Sequence, residues 1–93
     1  MKTYIVRVML IIDNQLISEK DSKPMFKTEA KNMLEKRIKE FQRHPSTITR
    51  DICASSTEVI LDSFAGNFPR WSERKDTWER YGEVVKIVEC GKK

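Results

Sequence analysis

Between Phe68 and Tyr81 the chain reads FPRWSERKDTWERY, a stretch holding four of its eight aromatic residues together with the cations Arg70, Arg74, Lys75 and Arg80. Indole and phenol rings interleaved with guanidinium and ammonium groups can stack nucleobases while the cations meet phosphates. They can equally form the Trp/Tyr/Arg anchor of a protein–protein contact. Read as a short helix over residues 72–81, capped by Ser72 and stopped at Gly82, the segment places Trp71, Arg74, Lys75, Trp78 and Tyr81 on one broad face. Glu73, Asp76 and Glu79 then turn away from that face. Read instead as a loop and a strand, alternation separates Trp78 from Tyr81 and the shared face is lost. A third reading makes the two indoles packing anchors at the edge of the core, with Arg74 and Lys75 laying their aliphatic stems over them.

Chemistry of other kinds is poorly supplied. Acid–base catalysis needs groups that converge at hydrogen-bond distance, yet the single histidine, His44, lies between Arg43 and Pro45 where a helix should end. There it is expected to meet free carbonyls. Asp51, Glu58 and Asp62 are close in sequence, but on strands Glu58 and Asp62 would share a face with Ile60 and Phe64 and offer no oxygen-rich loop for a cation. Ser55-Ser56 has no neighbouring base, and the three glycines, Gly66, Gly82 and Gly91, make no phosphate cradle. Cys53 and Cys90 show no CxxC spacing and read as reduced core thiols. The expectation is a protein that is not an enzyme and needs no cofactor or metal.

The segment that must carry any such surface is more easily read. In TEAKNMLEKRIKEFQR, residues 28–43, the apolar positions Ala30, Met33, Leu34, Ile38 and Phe41 follow the three-four spacing of an amphipathic helix. Thr28 is the expected cap, Glu29 suits the positive end of the helix dipole, Arg43 suits the negative end, and Pro45 stops the run. The outer face, with Lys31, Glu35, Lys36, Lys39, Glu40 and Arg43, pairs Glu35 with Lys39 one turn on and reads as a solvated surface.

Residues 2–12 have strand composition and are apolar on both faces over half their length, which predicts a position inside a sheet. Asp13-Asn14 suits a tight turn into a short second strand over residues 15–20. Residues 47–53 and 57–64 read as strands joined at Ala54-Ser55-Ser56, against a competing capping-box helix begun at Ser55 and closed by Gly66. Gly66-Asn67-Phe68-Pro69 reads as a break, and residues 83–90 as a final strand beside the first.

These elements predict one small α+β domain over residues 1–93. Its antiparallel sheet would have about four to five strands with the main helix on one face, and the short helix at 72–81 is carried as a variant. A charged fraction of 34% and a net charge of +4 fit interleaved solubility charge, with Gly91-Lys92-Lys93 as a small basic tail. Arg7 interrupts the N-terminal apolar run, no small-residue cleavage site follows, and no stretch reaches membrane-spanning length, so a cytoplasmic chain is expected. In brevity, high charge and want of a motif the chain resembles small phage-encoded accessory proteins, the class that includes anti-CRISPR inhibitors. That likeness is one of composition and assigns no residue.

The leading functional expectation is stoichiometric binding of a protein partner through Arg70, Trp71, Arg74, Lys75, Trp78, Arg80 and Tyr81, as an inhibitor, adaptor or accessory protein. Nucleic-acid binding by the same patch is the alternative. Sequestration of a small anionic ligand by an oligomer, such as a homodimer joined at a strand edge, is the third.

Overall fold

A computed structural model describes residues 2–50, 52 and 57–90. Five strands, β1 (Tyr4–Ile12), β2 (Gln15–Asp21), β3 (Thr47–Arg50), β4 (Ile60–Ser72) and β5 (Thr77–Glu89), form one antiparallel sheet in the order β2-β1-β5-β4-β3. The single helix among the described residues, α1 (Lys27–Gln42), lies on one face. This is the α+β architecture expected from the periodicities, with β1 interior to the sheet and paired to β5 from Tyr4↔Glu89 to Ile12↔Tyr81.

α1 buries Ala30, Leu34, Ile38 and Phe41. They meet Tyr4, Val6, Phe64, Val85 and Ile87, which alternation places on the facing side of β1, β4 and β5. The helix begins slightly earlier than Thr28 suggested. Phe26 is the cap residue, and its amide donates to Glu29 Oε1 at 3.2 Å, so the carboxylate in the first turn does the capping that Thr28 was expected to do. At the other end Ser46 Oγ donates to the Phe41 carbonyl at 2.6 Å, and Pro45 follows the last turn.

The β1–β2 hairpin turns on Asp13 and Asn14, both with positive φ (51° and 67°), the backbone that a two-residue loop requires and that these residue types tolerate. The other hairpin departs from expectation. Gly66-Asn67-Phe68-Pro69 is not a break, because β4 runs straight through it, and residues 72–81 are not a helix, because β4 and β5 pair without interruption from Asp62↔Ile87 to Ser72↔Thr77. Gly66 is small because α1 crosses the strand there: a Cβ on it would stand 3.0 Å from Phe41 Cδ1. Of the two readings of residues 57–64, strand is the one found, from Ile60 onward, and not the competing capping-box helix. The expected bend at 54–56, together with Asp51 and Cys53, lies outside the described residues.

Thirteen residues at about 3.3 Å each make β4 and β5 about 43 Å long, which accounts for the long dimension of a molecule measuring 48 × 24 × 23 Å. β3 stops pairing at Thr47↔Asn67 and β1 at Ile12↔Tyr81. Beyond a last contact from Asp13 to Arg80, the two long strands pair only with each other up to the turn, as a two-stranded ribbon that overhangs the sheet.

The face of the sheet away from α1 carries an ion cluster, and no second layer covers it among the described residues. Arg7 donates from Nε and Nη2 to the two Asp21 oxygens at 2.8 and 3.2 Å, and from Nη1 to Glu58 Oε2 at 2.9 Å, while Lys86 Nζ reaches Glu58 Oε1 at 3.3 Å. The hydrogen bonds from Arg7 hold both carboxyls below the usual carboxylate range. A lowered folded-state value means stability that is present above the unfolded value and is lost as pH falls through the folded one. The urea midpoint is therefore expected to decline once the pH drops below about 5. Arg7→Gln should flatten that decline, as parallel urea titrations at neutral and acid pH would record. An unchanged slope would mean that other carboxyls carry the acid sensitivity.

Candidate functional site

The ribbon presents its side chains on two faces, and the backbone decides which residue lies on which. Trp71 stands seven residues beyond Phe64 and Trp78 seven before Val85. Phe64 and Val85 face the helix, so both indoles face the other way. They sit directly opposite each other in the ladder, Trp71↔Trp78, with ring centroids 5.5 Å apart and planes at 79°, an edge-to-face contact. Neither ring is buried: Trp71 is 45% and Trp78 65% exposed. The reading of these residues as packing anchors of the core edge is thus not the arrangement found.

Alternation brings Arg80 to the indole face, where its Nη1 donates to Asn67 Oδ1 at 2.7 Å. Arg74 and Lys75 stand in the turn between the strands. Arg70 and Tyr81 go to the opposite, helix-side face, so the single surface proposed for all seven residues is divided: Trp71, Trp78 and Arg80 share one side, Arg70 and Tyr81 the other. On that second side Arg70 lies over the Tyr81 ring at 4.3 Å and donates to Glu79 Oε2 at 2.6 Å, and the Tyr81 hydroxyl donates to Glu83 Oε2 at 2.9 Å. Burial, and then that hydrogen bond to a carboxylate, raise the phenol above its ordinary value.

The turn explains why a helix was expected. Ser72 Oγ accepts from the Lys75 amide at 3.3 Å, the same serine-to-third-residue bond that an N-cap makes, but here it stabilises a four-residue connection ending at Asp76 with φ 55°. Lys75 bridges to Asp13 at 3.6 Å and to Glu79 at 3.7 Å. Arg74 makes no ion pair among the described residues.

Each edge of the ribbon is closed to further strand pairing at its base. Arg80 directs its backbone away from β4: its carbonyl accepts from the Asp13 amide at 2.9 Å and its amide donates to Asp13 Oδ1 at 2.9 Å. Its partner Pro69 must therefore turn its own backbone to the outer side of β4, where proline has no N–H to offer. Asp13 closes one edge and Pro69 blunts the other. By the same count Trp71 and Trp78 occupy a pair of the closely spaced, non-hydrogen-bonded kind, which favours contact between their rings.

The remaining candidates depart only in part from expectation. His44 meets the helix-end carbonyls through its backbone amide, which donates to the Phe41 carbonyl at 3.1 Å, while its ring stacks on Phe68 at 4.3 Å. Glu58 and Asp62 do not share a face, because a register shift between Ile60 and Asp62 leaves Glu58 with Arg7 and Lys86 while Asp62 faces Arg50 at 2.9 Å on the helix side. Cys90 is a half-buried free thiol. The residues that sequence reasoning missed are Pro69 and Asp13, whose value lies in edge geometry that only the ladder register defines. No helix is long and apolar enough to cross a membrane among the described residues. No family model, curated protein or solved structure matches the chain.

Proposed function

We propose that this chain is a non-enzymatic binding protein that engages a protein partner stoichiometrically through the Trp71–Trp78 face of the β4–β5 ribbon, as an inhibitor, adaptor or accessory subunit. The observation that carries this reading is the pairing of two exposed indoles across an overhanging ribbon. Large, rigid aromatic area held in place by backbone hydrogen bonds loses little side-chain freedom on binding, and tryptophan is among the commonest anchors of protein interfaces. Asp13 and Pro69 close the ribbon edges at its base, which disfavours strand addition there and supports a contact made by the face.

Charge favours a protein over a nucleic acid. Residues 70–80 hold four cations against three carboxylates, and Arg70 and Lys75 are engaged by Glu79 and Asp13. A phosphate-binding surface would leave more of them free. The test is affinity capture from an extract of the source cells, with and without nuclease and across a salt series. Capture of a defined protein in one-to-one ratio, surviving nuclease and falling little with salt, is expected. Recovery that depends on nucleic acid and collapses as salt rises would replace this reading with nucleic-acid binding.

A further inference from the structure

We infer that the helix side of the ribbon base is a binding site for a small aromatic anion, a planar ring bearing a carboxylate or comparable acid group. α1 ends at Gln42, short of the overhang, so the helix-side residues of the ribbon base are only partly roofed. What remains is a groove of about 610 Å³, walled by Arg37, Phe41 and His44 on the helix side and by Phe68, Arg70 and Tyr81 on the sheet side. That volume is in the range of sites for small organic ligands.

Its floor is aromatic. Phe68 lies 5.5 Å from Phe41, 5.3 Å from Tyr81 and 4.3 Å from His44, measured between ring centroids, so a planar ligand would meet ring faces and edges already in place. Its accessible charge is positive. The Arg37 and Arg70 side chains are 40% and 43% exposed, whereas their carboxylate partners Glu83 and Glu79 are only 11% and 6% exposed. Each carboxylate thus works from behind, holding its guanidinium in position. Arg37 spends only Nη1 on Glu83, at 2.7 Å, and Arg70 spends Nε and Nη2 on Glu79, which leaves N–H donors on both for an incoming oxyanion. Glu40, the remaining acid of the lining, stands one helical turn from Lys36, whose charge also lines the groove. This site lies on the face opposite the indoles and does not depend on the partner surface.

The experiment is a titration of the unmodified chain with 2-naphthoate, with its neutral amide 2-naphthamide and with acetate, followed by backbone and arginine Nε–H NMR shifts. Saturable shifts centred on Arg37, Phe68, Arg70 and Tyr81 are expected with naphthoate, at an affinity at least about tenfold above that for either naphthamide or acetate. Arg70→Gln should weaken naphthoate by about tenfold, with Lys75 remaining beside Glu79 to keep that carboxylate paired. Trp78→Ala should leave naphthoate binding unchanged. Absence of saturable shifts at millimolar naphthoate, shifts confined to the indoles of Trp71 and Trp78, or equal binding of naphthamide would each overturn the assignment, whether or not the Arg70 variant folds.

Discussion

Replacing Trp71 and Trp78 together by alanine is expected to abolish capture of the partner while leaving the domain folded. Each indole is exposed in the free chain and packs edge-to-face on the other, so their removal takes away a cross-strand pair worth roughly 0.2–1 kcal/mol, not a piece of the core. A buried interface tryptophan, by contrast, typically costs 2 kcal/mol or more of binding when truncated, about thirtyfold in affinity or greater. The two single variants should therefore each lose binding about thirtyfold or more, Trp78→Ala more than Trp71→Ala in keeping with its greater exposure, and the double variant should fall below detection. Circular dichroism should show a melting temperature lowered by only a few degrees. Unfolding of both single variants would show that the rings support the ribbon and would remove the reason for assigning a contact to them.

Phe64→Ala should do the reverse and act on the fold alone. Phe64 is fully buried beneath α1, with its ring edge-to-face against Phe41 at 5.9 Å, within the core that helix and sheet share. Truncating a buried phenylalanine costs about 3–5 kcal/mol, since the cavity it leaves is only partly refilled. A domain of this size has a total stability of about 5–14 kcal/mol, so about a fifth or more of it would disappear. At about 4–8 °C per kcal/mol the melting temperature should drop by 12 °C or more. Phe64→Leu, which keeps most of the volume, should cost much less. A drop under a few degrees for Phe64→Ala would mean that α1 is not seated on β4 as described.

How far the sequence can be read depends on which forces leave a local mark. α1 was legible because the spacing of Ala30, Leu34, Ile38 and Phe41 is a single period with no competing pattern, and β1 and β5 because β-branched residues recur with few interruptions. The ribbon was misread because its markers are ambiguous. A separation of seven residues places Trp71 and Trp78 on one face of a helix after two turns, and it also places them opposite each other in a hairpin whose closing pair is Ser72↔Thr77. The two indoles come together in either conformation. Arg70 and Tyr81 do not, since strand alternation carries them to the opposite side. Gly66 and Pro69 looked like punctuation because their local preferences are those of turns. Their actual roles, clearance for Phe41 and an edge without an N–H, arise from tertiary neighbours that no local window contains.

The division of the ribbon into two faces gives the chain two separate surfaces from one hairpin. One carries unpaired aromatic area outward. The other folds its cations back onto Glu79 and Glu83 beside the end of α1. Arg37 and Glu83 join the helix to the ribbon base at 2.7 Å, so the overhang is braced at its root by an ion pair as well as by the aromatic cluster of Phe41, Phe68 and Tyr81. Bracing of this kind keeps the indole pair in a fixed attitude, which is what a preorganised contact requires.

Trp71 and Trp78 are the only tryptophans in the chain, so its indole fluorescence reports on this pair and nothing else. Acrylamide quenching of that fluorescence, measured on the free protein and again on the complex with its captured partner, should show rings open to the quencher when free and strongly protected when bound. Rings already shielded in the free protein, or quenching that is the same with and without the partner, would show that these indoles are not the surface through which the chain binds.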